Sequence, residues 1–197
     1  MNSTKQSTTA GKIIIFTAPS GSGKTTVVRH VLKKFNFLDF SISATTREKR
    51  PHEEDGVDYY FISVEDFKKK RRQRKFAEWE EVYNNQYYGT LKSEIERIWE
   101  AGSHIVFDIE VKGATNIKKK YGDQALAVFI KVPSLDILIQ RLKSRKTESE
   151  ASLKKRIKRI KKELTYEKSF DRVLINDKLE DTLKEAEKLV EEFIFRA

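Results

Sequence analysis

Residues 18–26 read Ala-Pro-Ser-Gly-Ser-Gly-Lys-Thr-Thr and directly follow an apolar run at 13–17. A phosphate-binding P-loop has the pattern Gly, four residues, then Gly-Lys-Ser/Thr, between a strand and a helix. Gly-Lys-Thr at 23–25 fits this pattern, whereas Ala18 stands at the leading glycine. Since the apolar run predicts a strand and a helical pattern follows, the context favours a P-loop over an ordinary glycine turn.

The composition of this loop matches the needs of a nucleoside triphosphate and Mg²⁺. Gly21 and Gly23 let the backbone curl so that N–H groups point inward, at the positive end of a helix dipole. Lys24 places a cation on the β- and γ-phosphates, and the Thr25 hydroxyl is a ligand for Mg²⁺. The predicted ATP-binding residues here are Ala18, Pro19, Ser20, Gly21, Ser22, Gly23, Lys24, Thr25 and Thr26. Ala18 matters only if φ must be positive at that position.

Composition narrows the class of protein. The chain has 197 residues, of which 38% are hydrophobic and 36% charged, which is typical of a soluble globular domain. It has no cysteine, so disulfides and thiolate metal sites are excluded. No apolar run approaches the roughly 20 residues that span a bilayer. Residues 1–11 are polar and lack the apolar core of a secretory signal, so we expect a disordered leader and a cytoplasmic protein.

The net charge of +10 favours anionic partners, from nucleic acid to small polyphosphates. Much of this charge lies in helical patterns, for example at 68–75 and 154–162, where a solvated surface explains it equally well. The net charge alone therefore does not indicate which of these partners, if any, the protein binds.

Apolar periodicity predicts the order of elements. Short apolar runs at 13–17, 39–43, 105–108, 125–130 and 173–175 are predicted strands. Apolar residues recur every three or four positions at 24–35, 91–101, 134–144 and 179–195, which predicts helices with one buried face. Buried strands that alternate with helices predict an α/β fold, a parallel sheet with helices on both faces.

Two segments interrupt this alternation. Residues 58–88 are dense in aromatic side chains and predict a small β-rich subdomain, with Tyr60, Phe61 and Tyr83 in its core. Residues 143–168 are highly charged and predict a helical lid over the sheet edge.

A second anion site is expected after the second strand. Arg47 and Arg50 are three residues apart, and two guanidinium groups so placed can hold one phosphate. The hydroxyls of Tyr59 and Tyr88 can complete this grip. Taken alone, two such arginines are more often surface charges, and the alternative role of the tyrosines is in the core of the subdomain.

From about residue 12 to its end, the chain resembles guanylate kinases. The resemblance rests on seven ordered motifs, which together are highly specific: Pro-Ser-Gly-Ser-Gly-Lys-Thr at 19–25, Ser-x-Ser-x-Thr-Thr-Arg-x-x-Arg at 41–50, Gly-x-Asp-Tyr-x-Phe at 56–61, Phe-x-Glu-Trp at 76–79, Tyr-Tyr-Gly-Thr at 87–90, Asp-Ile-Glu-Val-Lys-Gly-Ala at 108–114 and Ile-Asn-Asp at 175–177. It implies a P-loop NTPase-type fold with a GMP-binding subdomain and a lid.

The resemblance also implies the acceptor site. It assigns the GMP phosphate to Arg47, Arg50, Tyr59 and Tyr88, and the guanine to Ser43, Glu78, Thr90 and Glu110. A carboxylate accepts hydrogen bonds from guanine N1–H and the 2-amino group, whereas adenine presents a bare N1 and no such amino group. Glu110 is a departure, because the family usually has Asp there.

Charge neutralisation is the main catalytic demand of phosphoryl transfer. Lys24, Mg²⁺ and several arginines, Arg47 among them, meet that demand. The resemblance implies that Arg145 and Arg156 are lid arginines that close over ATP, and the family commonly has Gly where this chain has Lys146. Arg141 is a weaker candidate, because simply flanking the helix is its alternative role. Asp108 ends a strand and is a candidate Mg²⁺ ligand, directly or through water, with a strand-end capping role as the alternative. Asn176 is expected near the ATP adenine, or else in an ordinary turn.

We therefore expect an ATP:GMP phosphotransferase, active on GMP and dGMP, with Mg²⁺ as cofactor and no nucleic-acid or membrane partner. The expected core is 12–42, 93–139 and 169–197, with the GMP-binding subdomain at 43–92 and the lid at 140–168. A non-enzymatic guanylate kinase-like binding module, a nucleic-acid-dependent ATPase and a kinase for another small acceptor are the alternatives. The oligomeric state stays open.

Overall fold

The computed structural model describes residues 11–143 and 150–196. Its strands are β1 (Ile13–Thr17), β2 (Leu38–Phe40), β3 (Ala44–Thr45), β4 (Tyr60–Phe61), β5 (Phe76–Tyr83), β6 (Gln86–Leu91), β7 (His104–Asp108), β8 (Ala125–Lys131) and β9 (Arg172–Ile175). Its helices are α1 (Lys24–Lys34), α2 (Val64–Arg72), α3 (Lys92–Glu100), α4 (Val111–Tyr121), α5 (Leu135–Lys143), α6 (Glu150–Leu164) and α7 (Leu179–Phe195). Short 3₁₀ turns lie at Gly122–Gln124 and Glu167–Ser169.

The main sheet is parallel, in the order β2-β7-β1-β8-β9. Successive side chains of a strand point to opposite faces, and both faces of β1 are covered. Ile14 and Phe16 pack with α1 and α7, whereas Ile13 and Ile15 pack with α3 and α4. This burial on both faces explains the uninterrupted apolar run, and it confirms the predicted α/β class.

A second sheet, in the order β4-β3-β6-β5, forms the insert together with α2. Its core consists of Ala44, Phe67, Phe76 and Tyr87. The β-rich prediction for this segment is thus confirmed. The prediction for Tyr83 is wrong, because this residue ends β5 at the hairpin and is 54% exposed.

Two helices were not predicted. Helix α2 is short and strongly basic, so its single buried apolar residue, Phe67, shows no periodic pattern. Its start was nonetheless readable, since the Ser63 hydroxyl caps the helix by accepting from the backbone N–H of Asp66. Helix α4 directly follows β7, and its buried face includes Gly113 and Ala114, which carry little hydrophobic signal.

The predicted strand at 39–43 ends earlier, at Phe40. Ser41 still donates its N–H to the carbonyl of Val106, but beyond it the chain leaves the main sheet for β3. The charged segment does contain a helix, α6, and Ile160 packs it onto Leu138 and Leu142 of α5.

Residues 1–10 of the expected leader, and Arg145 and Lys146 of the expected lid, lie outside the described residues. Along the described part of the chain, we find no helix with the length and hydropathy required to cross a bilayer.

Candidate active site

The phosphate loop lies at the carboxyl ends of the parallel strands, where α/β sheets commonly bind ligands. It leaves β1 at Thr17 and enters α1 at Lys24, and Gly21 and Gly23 have φ values of 92° and 93°. Among the described residues, the non-glycine positions with positive φ are Arg74 and Asn85. Ala18 is therefore not one of them, and its substitution for glycine is compatible with the loop.

Asn176 supports this loop from behind. It follows β9, is 4% exposed, and donates its Nδ2 to the carbonyl of Ser22 at 2.8 Å. Thr182 donates its hydroxyl to the other end of the amide, Oδ1, at 3.3 Å. The side chain is thus committed to the loop backbone, and it does not line the cavity in front of the loop.

Lys24 and Asp108 meet at the front of the loop. Asp108 ends β7 beside β1, with Phe16 as its register partner, which brings the carboxylate to the start of α1. The Lys24 ammonium donates to Asp108 Oδ1. The strand-end carboxylate therefore contacts the P-loop cation, and Thr25 lies exposed next to it in sequence.

A cavity of about 190 Å³ lies between this point and the small sheet. It collects nearly all of the predicted acceptor residues: Ser43, Arg47, Arg50, Tyr59, Glu78, Tyr88 and Glu110, with Lys24 and Asp108 at its inner end. Thr90, the remaining one, lies behind Glu78 and donates to it through its N–H at 3.0 Å and its hydroxyl at 2.9 Å.

Arg47 is held by a partner that the sequence analysis missed. Its guanidinium donates two hydrogen bonds to Glu53, at 2.8 and 2.9 Å, and its Nε donates to the Tyr88 hydroxyl at 3.1 Å. Glu53 is 8% exposed and also accepts from the backbone N–H of Arg50 at 2.8 Å. The Arg47 hydrogen bonds hold the pKa of Glu53 at about 2, so Glu53 is an ionised clamp for the arginine pair.

The two tyrosines of the predicted acceptor site border this arginine. The Arg47 guanidinium lies 5.4 Å from the centre of the Tyr59 ring, and the Tyr59 and Tyr88 rings meet edge to face at 6.0 Å. Burial and the nearby Asp108 raise the pKa of Tyr59 to about 12, so this hydroxyl is a neutral hydrogen-bond donor at physiological pH.

Glu78 is a buried carboxyl group in the cavity wall, 8% exposed. Burial raises its pKa to about 7, against the lowering effect of the Thr90 hydrogen bonds. A Cβ at Gly113 would lie 2.7 Å from Glu78 Oε2, so the missing side chain of Gly113 leaves room for this oxygen. A carboxyl group with a pKa near 7 can change its protonation state when a ligand binds. In its ionised form it accepts hydrogen bonds from the ligand.

A second cavity, of about 370 Å³, lies over the phosphate loop and includes every residue from Ala18 to Thr26. Its other walls include Arg50, Tyr88 and Glu110, which also line the first cavity, so the two are parts of one cleft. Helix α6 covers it, and Arg156 reaches the Ser20 hydroxyl at 3.5 Å, the limit of a hydrogen bond.

Arg159 and Glu163 of α6 also line this second cavity, and the sequence analysis missed both. Arg159 donates to Glu110 at 2.5 Å and to Glu163 at 2.6 Å. The sequence signal for Arg159 was weak, because this residue is one of many basic residues in the segment. Glu53 had a clearer signal, since it continues the three-residue spacing of the two arginines.

The chain is similar to known proteins along nearly its whole length. A family model described as guanylate kinase matches residues 10–193 of the chain. The guanylate kinase of Bacteroides fragilis is 43% identical over 199 residues, which cover 98% of each chain. That of Porphyromonas gingivalis is 45% identical over 185 residues, 93% of this chain and 98% of the relative.

A crystal structure of guanylate kinase from Anaplasma phagocytophilum has the same architecture. It matches with a TM-score of 0.74 at 22% identity, over 95% of this chain and 88% of that one. At this identity the likeness supports the fold alone.

Proposed function

Because this chain belongs to the guanylate kinase family, it is an ATP:GMP phosphotransferase, and we propose that the cleft holds both nucleotides at once. The donor ATP binds over the phosphate loop and the acceptor GMP binds in the smaller cavity beside it. The γ-phosphoryl group then passes between them, giving ADP and GDP, where Lys24 borders both cavities.

The observation that carries this proposal is the convergence of two anion sites on Lys24. On one side are the inward-facing loop and the start of α1, which suit the ATP phosphates. On the other side are Arg47 and Arg50, which suit the GMP phosphate, with the hydroxyls of Tyr59 and Tyr88 next to them. Two phosphates that repel each other are thereby brought together among fixed cations.

The guanine of GMP occupies the far end of the acceptor cavity in this proposal. Glu78, in its ionised form, accepts from the N1–H and 2-amino groups, and Thr90 holds the Glu78 carboxylate from behind. Ser43 and Glu110 complete the site. Adenine would leave the buried carboxylate facing a lone pair, at a cost of several kcal/mol for unpaired buried polar groups. The same contacts accept dGMP, since none involves the ribose.

The donor set at the front of the loop fits Mg²⁺. Thr25 and Asp108 present a hydroxyl and a carboxylate oxygen, the hard ligands that Mg²⁺ prefers, and Mg²⁺ commonly keeps several waters. We propose that these two residues hold it, directly or through water. The ion supplies positive charge to the ATP phosphates, whereas Lys24, Arg47 and Arg156 orient and neutralise the phosphoryl groups.

We further propose that residues 43–92 act as the GMP-binding subdomain and 140–168 as a lid that includes Arg145. Closure of both excludes water from the transfer step and so prevents wasteful hydrolysis of ATP. The proposed setting is purine nucleotide metabolism in the cytoplasm, where both substrates are found.

The test is a panel of nucleoside monophosphates with ATP and Mg²⁺, with ADP formation measured in a coupled assay. We expect turnover with GMP and dGMP, and little with AMP, CMP or UMP. Lys24→Ala should lower kcat about 100-fold or more, because it removes a cation from the transferring phosphoryl group.

Lys33→Ala is the matched control, because Lys33 lies exposed on the same helix and should leave kcat unchanged. Equal rates with AMP and GMP would contradict the proposed base recognition. ATP hydrolysis stimulated by RNA or DNA, without a monophosphate requirement, would favour the nucleic-acid-dependent alternative.

A further inference from the structure

A partly buried ion cluster joins helix α6 to the acceptor cavity. Its centre is Arg159 of α6, which donates Nη2 to Glu110 Oε2 at 2.5 Å and Nε to Glu163 Oε1 at 2.6 Å. The guanidinium also lies 5.7 Å from the centre of the Tyr83 ring. Arg159 is thus oriented from three sides, by one residue of its own helix and two of other elements.

The two carboxylates of this cluster are in different surroundings. The side chain of Glu163 is 10% exposed, and it fixes Arg159 from the i+4 position of the same helix. The side chain of Glu110 is 42% exposed and lines the acceptor cavity, just before the start of α4. Glu163 therefore anchors the guanidinium, and Glu110 is the group whose position the guanidinium controls.

Glu110 needs such control, because a Glu side chain has one more rotatable bond than Asp. A carboxylate that recognises a base must be held close to its productive orientation before the ligand arrives. A charge-assisted hydrogen bond to a fixed guanidinium removes much of that freedom.

We propose that Arg159 is a positioning residue for GMP recognition, which holds the Glu110 carboxylate in the wall of the acceptor cavity. This inference rests on the proposed function, which assigns that cavity to GMP. Through this contact, helix α6 is linked to the acceptor cavity. Arg156, one turn earlier on the same face of α6, reaches Ser20 of the phosphate loop, so one helix face contacts both substrate sites.

The first test compares Michaelis constants in Arg159→Gln. We expect the KM for GMP to rise about tenfold, because the variant loses the charge-assisted hydrogen bond that orients Glu110. Because Arg159 also lines the cavity over the phosphate loop, the KM for ATP should rise as well, but by a smaller factor of about two to three. Arg159→Lys, which keeps the charge but not the forked geometry, should recover part of the GMP affinity.

Lys158→Gln is the matched control, since it removes one positive charge from an exposed neighbouring position on α6 and should change neither KM. If Arg159→Gln proves too unstable to assay, Arg159→Lys alone tests the proposal. Its KM for GMP should then rise more, relative to the wild type, than its KM for ATP. An equal rise in both KM values, or an unchanged KM for GMP, would overturn the proposal.

The second test is a double-mutant cycle. If Arg159 acts through Glu110, the double variant Glu110→Gln/Arg159→Gln should bind GMP no worse than Glu110→Gln alone. Additive losses would show that Arg159 acts independently, and would overturn the positioning role. Failure of the wild type to phosphorylate GMP would instead refute the proposed function, so the two failures are distinguishable.

Discussion

Glu78 is a carboxyl group in an environment very different from water. Its carboxyl group lies in the interior wall of the acceptor cavity, and Thr90 supplies two hydrogen bonds to one of its oxygens. Burial disfavours the charged form and raises the pKa to about 7. A buried carboxyl group is costly to keep, and its place in the cavity wall supports the proposal that it accepts from the two donors of a guanine.

This cost predicts a pH dependence of stability. The folded-state pKa of about 7 lies above the ordinary value of 4.5, so the folded protein binds the proton more tightly than the unfolded chain. The stabilisation by the neutral carboxyl is full below pH 4.5 and is lost as the pH rises through 7. Between about pH 5 and pH 8, the wild type should lose about 2–3 kcal/mol relative to Glu78→Gln, which does not titrate there.

Urea unfolding of both proteins across this range measures the difference, and any constant effect of the substitution cancels. Parallel stability curves for the two proteins would show that Glu78 is not the buried acid described here. The same Gln variant should also lose its preference for GMP over AMP, which links the cost in stability to recognition.

The phosphate loop is the element on which the donor site depends, and two neighbours shape it. The loop leaves β1 and ends at Gly23, whose carbonyl accepts from the N–H groups of Thr26 and Val27. Asn176, after β9, fixes the loop backbone at Ser22. A Cβ at Gly23 would lie 2.2 Å from Asn176 Nδ2, so the loop tolerates no side chain at this point.

Gly23→Ala should therefore destabilise the folded protein for two reasons. The φ of 93° is unfavourable for an L-residue, and the new methyl group displaces the Asn176 amide from Ser22. We expect a loss of about 2–4 kcal/mol in the free energy of unfolding, with kcat reduced about 100-fold. Urea unfolding and the coupled assay measure the two effects.

Gly102→Ala separates these causes. Gly102 has a φ of 78°, but a methyl group added there would meet no atom of the described residues within 4 Å. Only the backbone cost of about 1 kcal/mol therefore applies to this substitution. Equal destabilisation by the two substitutions would mean that the contact with Asn176 is unimportant.

At the scale of the whole molecule, the net charge is +10. The cleft is lined by five basic residues, Lys24, Arg47, Arg50, Arg156 and Arg159, and by as many acidic ones, Glu78, Glu80, Asp108, Glu110 and Glu163, so the excess positive charge belongs to the rest of the protein. Both proposed substrates are polyanions. The field of the protein should therefore attract them over distances longer than a hydrogen bond.

This attraction predicts a salt dependence. Raising the ionic strength from about 50 mM to about 200 mM shortens the screening length and should lower kcat/KM for GMP about three- to tenfold. The value of kcat, measured at saturation, should change much less. Steady-state kinetics in KCl, with sucrose as an uncharged control, measures this effect. A kcat/KM that is independent of salt would show that long-range attraction does not contribute to substrate binding.

Some of these features could be read directly from the residues. The phosphate loop was predictable because its glycines, Lys24 and Thr25 are contiguous, and their conformation depends mainly on local backbone preferences. The order of the main-sheet strands within the chain followed from apolar runs, since burial on both faces leaves a continuous pattern. The proposed acceptor residues could be named only through ordered motifs, because Arg47 or Glu78 alone has an ordinary surface interpretation.

By itself, the sequence determined the α/β class and the phosphate loop, and its resemblance to a family pointed to the proposed acceptor residues. Tertiary structure decided the partners: Glu53 for Arg47, Glu110 for Arg159, and the back of the loop rather than the cleft for Asn176. The reason is physical. Backbone conformation and burial pattern depend on near neighbours in the chain, whereas an ion pair or a shifted pKa depends on which distant side chains the packed helices and strands bring within a few ångströms.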